Sequence, residues 1–170
     1  MKFLAFLFLP LIGFSQTQTE KVSLGDKATL SIPKGLGAMS AEMWTLKYRD
    51  RKRPALVLTD ADGEVNLIGE QLSQPLNDSQ VEMFTELQLG QLRKRRTDLT
   101  VLSNGVKTVD GKKVGYIKFL SQAVDQAVFN YYFFAVADGK VLFFTFNCIE
   151  KLRKDWEKDA DDIVASLKTK

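Results

Sequence analysis

Two consecutive segments near the C-terminus, Ala127 to Ala137 and Lys140 to Cys148, constrain the fold of this 170-residue chain more than any other feature. An Asp138-Gly139 pair separates them, and that dipeptide marks a tight turn between strands. Along the first segment Phe129, Tyr131 and Phe133 point one way, and Val128, Tyr132 and Phe134 point the other. In the second, Val141 and Phe143 oppose Leu142, Phe144 and Phe146. Both faces of the hairpin are apolar, so both must be covered; a two-layer fold with one wetted face would not produce this pattern.

The end of the chain supplies part of the cover. Ile149, Leu152, Trp156, Ala160, Ile163 and Leu167 recur every three or four residues, which is a helical stripe. Upstream, Gln16 to Lys21 is polar and reads as a loose lead, and Val22 to Leu24 as a short strand. Ala28, Leu30 and Ile32 alternate with Thr29 and Ser31 in a half-buried strand that Pro33 closes. Trp44, Leu46 and Tyr48 also alternate, which predicts a second strand. Ala55 to Thr59 and Val65 to Leu72 flank Asp60-Ala61-Asp62-Gly63 as a hairpin.

A helix opens near Asn77, with Gln80 at the reciprocal capping position; Ser79 with Glu82 is the alternative start. Its Val81, Phe84, Leu87 and Leu92 fall on one face, and it runs out through Arg93 to Arg96, where positive charge suits the helix dipole. Thr100 to Ser103, Val106 to Val109 and Val114 to Gln122 are further strands, the last two joined by Asp110-Gly111. The order predicts an α+β fold: a three-layer α-β-α sandwich with a central antiparallel sheet and two main helices.

The N-terminus speaks to location. Met1-Lys2 is followed by an apolar run from Phe3 to Phe14, then small residues Gly13 and Ser15 before Gln16. Charged start, apolar middle and small-residue cut site make a secretory signal peptide over residues 1–15, cleaved before Gln16. The run is too short to cross a bilayer, which needs about 20 apolar residues. Residues 16–170 then form one domain, placed in the periplasm or outside the cell, with no transmembrane span expected. Gln16 stands where a bacterial lipoprotein would need cysteine.

Composition removes whole classes of chemistry. The chain has no histidine, hence none of the commonest general base, metal ligand or partner for a nucleophile. Its one cysteine, Cys148, allows no intrachain disulfide. Set at the end of an apolar strand with no histidine to activate it, Cys148 reads as buried and inert. A net charge of +3, of which the leader's Lys2 holds one, argues against nucleic acid as a partner. No cofactor is expected.

Other candidates have plain structural explanations. Asp60-Ala61-Asp62-Gly63-Glu64 is too short and misplaced for a calcium loop, and reads as a turn. Asp155, Glu157, Asp159, Asp161 and Asp162, mixed with lysines, read as a solvated helix face. Two basic clusters remain: Arg49, Arg51, Lys52 and Arg53, and Arg93, Lys94, Arg95 and Arg96. If they meet on one surface they can engage an acidic partner, anionic lipid or polysaccharide, the partner expected being another envelope or secreted protein. Solvated surface is the competing explanation.

Several stretches resemble the PsbP-like superfamily. They are Leu30-Ser31-Ile32-Pro33-Lys34-Gly35 after an early strand, the mid-chain helix from Glu82 to Arg93, the run Asp138-Gly139-Lys140-Val141-Leu142-Phe143-Phe144-Thr145-Phe146, and the closing Ile163-Val164-Ala165-Ser166-Leu167-Lys168. The resemblance implies an α-β-α sandwich that acts by binding proteins or assisting assembly, without catalysis. It places no functional residue individually, because function is carried by sites and not by folds. The expectation is an exported, non-enzymatic protein-binding or assembly-support module of the envelope; the alternative is a periplasmic small-ligand or lipid-binding protein.

Overall fold

The computed structural model describes residues 18–170; the leader and its cut before Gln16 lie outside the described residues. The chain begins with Thr19–Leu24 (β1), Ala28–Pro33 (β2) and Gly37–Ala38 (β3), then helix Ala41–Tyr48 (α1). Leu56–Thr59 (β4) and Val65–Pro75 (β5) lead to helix Val81–Arg95 (α2). Thr100–Val109 (β6), Lys112–Gln122 (β7), Ala127–Ala137 (β8) and Lys140–Ile149 (β9) form a meander. Helix Arg153–Ala165 (α3) and Lys168–Thr169 (β10) complete it.

Seven strands form one antiparallel sheet in the order β3-β4-β5-β9-β8-β7-β6, so the apolar hairpin lies at its centre. Asp110-Gly111 and Asp138-Gly139 make the two tight turns of the meander, each with positive φ at both residues. That geometry matches the right-handed strand twist and is cheapest when glycine takes the second place.

The parity of the hairpin decides the layers. Tyr131 pairs with Phe146, Phe133 with Phe144 and Phe134 with Phe143. Phe133 and Phe144 stack at 4.8 Å on one face, and Phe134 and Phe143 at 5.3 Å on the other. α2 covers the second face, with Phe84 edge-on to Phe134 at 5.1 Å. α3 covers the first, bringing Ala160, Ile163 and Val164 into one core with Phe129, Phe133 and Phe146. Burying each such ring contributes about 2–3 kcal/mol relative to exposure. The α+β sandwich is as expected, with one addition. Beside α3 lies a second sheet, β1-β2-β10, whose Leu24, Leu30 and Ile32 join the same core. Ser166 locks the two together, its Oγ accepting the Ser31 amide at 2.8 Å.

Four local expectations need correction. Trp44, Leu46 and Tyr48 lie in a helix. Ser40 caps it, accepting the Met43 amide at 3.0 Å, and Trp44 and Tyr48 stack one turn apart at 4.3 Å while Leu46 is 83% exposed. Three alternating residues satisfy a period of two, but the outer pair equally satisfies the helical i, i+4 spacing. Thr19 to Lys21 are part of β1, where they pair with Ser31 to Pro33. The two strands read at Thr100 and Val106 are one, β6. Leu87 faces away from the α2 core at 51% exposure, and Leu89 takes the buried place.

Candidate functional site

α2 leaves part of its face of the sheet uncovered, over β5, β9 and β8. A row of polar side chains crosses the gap. Asn66 on β5 pairs in register with Asn147 on β9, which pairs with Asn130 on β8. Asn66 Nδ2 donates to Asn147 Oδ1 at 3.0 Å. At one end the Thr59 hydroxyl donates to Asn66 Oδ1 at 3.0 Å, and at the other Asn130 Nδ2 donates to Ser121 Oγ at 3.0 Å. The row thus spans five adjacent strands. Asn66 and Asn130 are buried, so each hydrogen bond left unmade would cost about 1–3 kcal/mol.

The gap forms a groove. Its larger chamber has a volume of about 640 Å³, walled on one side by Leu46, Lys47 and Tyr48 of α1 and on the other by Arg96 and the Gln122–Gln126 turn. A smaller chamber of about 290 Å³ continues past Trp44, Tyr132 and Phe143. Tyr48, Arg51, Asn130 and Asn147 line both.

The electrostatics are mixed. Burial raises the Tyr132 hydroxyl pKa, while Arg96 and Arg51 pull it down, so both guanidinium fields reach the groove. Burial also raises that of Tyr48, opposed by Arg51 and by the nearby Asn147 amide. Burial lowers Lys47, whose ammonium caps Gly63 O and approaches Asn66 Oδ1 at 3.4 Å. Asp62 and Glu64 add negative charge at the same wall.

The basic residues picked out in the sequence divide. Arg51 and Arg96 line the larger chamber and Lys52 the smaller. Arg96 is held by Asp98 at 2.9 Å and donates to Gln122 O. That bond takes the Asp98 carboxyl down to about 2. Arg53 is used locally, donating to Met39 O and Ser40 O and lying over the Trp44 ring at 5.9 Å. Arg49 ends α1, and Arg93, Lys94 and Arg95 are exposed on the last turn of α2; none of these four lines the groove. Of the eight, Arg51 and Arg96 alone line the larger chamber together.

The Asp60–Glu64 segment is the β4–β5 turn, with Asp60 Oδ1 accepting the Val65 amide at 3.0 Å. Among the described residues, no three Cys, Asp or Glu side chains converge as a metal-ligating group. Cys148 is fully buried, and desolvation pushes its thiol up to about 12. Of the α3 acids, Asp155 and Asp162 lie on the solvated face expected, and Glu157 and Asp161 do not. Glu157 and Asp161 reach Lys118 at 3.3 and 2.8 Å, and Tyr131 donates to Asp161 at 3.1 Å. They clamp α3 to the sheet.

The asparagine row is what sequence reasoning missed. Its trace is visible: Asn130 interrupts the apolar run of β8, and Asn147 follows Thr145 as a second polar residue inside β9. Asn66 lies 64 residues before Asn130 and 81 before Asn147, so only pairing brings the three together.

No family model and no curated protein sequence matches the chain. Solved structures do match over nearly all of it. Cyanobacterial PsbP from Synechocystis sp. PCC 6803 is 12% identical, with 96% of this chain and 98% of that one covered at a TM-score of 0.64. LpqN of Mycobacterium tuberculosis, involved in cell envelope biogenesis, is 13% identical, with 90% and 91% covered at 0.59. PA94 of Pseudomonas aeruginosa, a protein of unknown function and putative regulator, is 12% identical, with 89% and 97% covered at 0.53.

Proposed function

We propose that this PsbP-like sandwich is an exported, non-enzymatic binding module of the cell envelope, and that it binds a small molecule in the groove beneath α1. The observation that carries the proposal is the buried polar row on the floor of a chamber whose 640 Å³ falls in the range of about 300–1,000 Å³ typical of ligand sites. Three amides in register depart from the apolar pattern around them, and such departures concentrate at functional sites. Export rests on the leader read in residues 1–15, and the envelope setting is in keeping with the fold shared with LpqN. Among the described residues no helix is long and apolar enough to cross a membrane. The absence of histidine supports binding without catalysis.

The basic clusters picked out for a protein partner contribute only Arg51, Lys52 and Arg96 to the groove, so protein binding is the competing outcome. The test is isotope-edited NMR of the purified protein titrated with a cell-envelope extract split into low-mass and protein fractions. The low-mass fraction should move resonances of Tyr48, Asn130 and Asn147. Shifts produced only by the protein fraction, or gathered away from the groove, would return the molecule to the protein-binding class.

A further inference from the structure

We infer that the groove selects a neutral, polyhydroxylated ligand of the saccharide class; this deepens the reading of the groove as the binding site and rests on it. The argument compares three ligand chemistries. A free anion needs convergent, unengaged cations. Here Arg96 is already held by Asp98, Lys47 by Gly63 O, and Asp62 and Glu64 share the wall. Arg51 and Lys52 have no acidic partner among the described ion pairs, but Lys52 lines only the smaller chamber, where Glu70 shares the wall. A purely apolar ligand would cover the amides of Asn130 and Asn147 without hydrogen-bonding them, at a desolvation cost.

A hydroxyl-rich ligand meets neither obstacle. A hydroxyl both donates and accepts, and so does a carboxamide. Asn147 and Asn130 sit on neighbouring strands, which are about 4.8 Å apart. That spacing presents amides in series to successive hydroxyls. Gln122 and Gln126, both exposed, add two more carboxamide residues to the lining. Asn130 Oδ1 takes no donor from the described residues, while its Nδ2 is already committed to Ser121 and Val128 O. Tyr48, stacked on Trp44, adds an aromatic side chain that lines both chambers and suits the C–H face of a sugar ring.

The test titrates the purified protein with maltose, cellobiose and chitobiose in turn, with inorganic phosphate and sodium dodecanoate as the contrasting probes, following the side-chain NH₂ resonances of Asn130 and Asn147. At least one disaccharide should bind saturably and shift both resonances, and Asn147→Leu should weaken that binding at least tenfold. If the variant fails to fold by circular dichroism, Gln126→Ala on the exposed turn should weaken the same binding, and the wild-type resonances still decide. Phosphate or dodecanoate shifting the groove while every disaccharide is silent overturns the ligand class and leaves the groove standing. Silence of all five probes overturns the class too; silence of the low-mass envelope fraction as well overturns the groove with it.

Discussion

Single atoms set the distance between layers. α2 approaches β7 at Gly115, where an added Cβ would overlap Thr85 Oγ1 and press Val81 Cγ1 at 3.2 Å. Gly115 has an ordinary φ, so its role is space and not conformation. Gly115→Ala should therefore lower the urea midpoint by an amount equivalent to about 1–3 kcal/mol, the usual cost of overpacking. Adding Thr85→Ala removes the overlapping hydroxyl and should recover much of the loss, because contacting residues couple. Equal loss in the single and double variants would place the tightness elsewhere. None of this is visible locally in the sequence. Gly115 lies in a strand and Thr85 in a helix, 30 residues apart, and nothing near either names the other. The asparagines behave alike: each looks like an isolated polar interruption until strand pairing aligns them.

Whole elements differ in how firmly they are held. α3 packs Trp156, Ala160, Ile163 and Val164 against the main core, with Leu152 just before it and Leu167 just after, and has an ionic clamp at Lys118; Ile149, read as the start of this stripe, ends β9 instead. α1 buries only Trp44, in a small satellite cluster with Met39 and Val57. Its Trp44 indole donates to Arg51 O at 3.1 Å, which ties the helix to the loop that follows. Such thinly attached elements open locally, well below the global unfolding energy. Ser40→Ala removes the N-cap, worth about 1 kcal/mol. It should speed amide hydrogen exchange through α1 severalfold and leave β8 and β9 unchanged. Faster exchange spread evenly over the molecule would mean that α1 is integral to the core. The difference between α3 and α1 also explains their legibility: a long stripe discriminates a period of 3.6 from a period of 2, whereas three residues do not.

At the scale of the molecule, carboxylates tie layers together and so couple stability to pH. The Arg96 bond lowers Asp98, which also accepts the Gln122 amide at 2.6 Å and fastens the end of α2 to β7. Burial alone would raise Glu157 and Asp161, but the bonds to Arg153 and Lys118 outweigh it and both end up lowered. A carboxyl whose folded pKa lies below its unfolded one contributes stability above the unfolded value and loses it as pH falls through the folded one. The melting temperature should thus drop from about pH 4.5 downward, with the Asp98 contribution persisting to about pH 2. Asp98→Asn should flatten the lowest part of that profile. An unchanged profile in the variant would show that the Arg96 pair is too exposed to matter.

The sequence alone determined the central hairpin, its two greasy faces, the turns at Asp110 and Asp138, and the closing helix. These are short-range facts, because strand parity, turn chemistry and helical spacing are each written within about ten consecutive residues. With them came the sandwich, since two apolar faces admit only a covered sheet. Tertiary structure alone decided the rest. It placed a small sheet beside α3, made a helix of the segment around Trp44, and brought Arg51, Lys52 and Arg96 to a groove that the other five basic residues do not line. It also lined up Asn66, Asn147 and Asn130. A binding site is a meeting of side chains from distant segments, and the pairing of strands that brings them together is a property of the folded chain, not of any stretch within it.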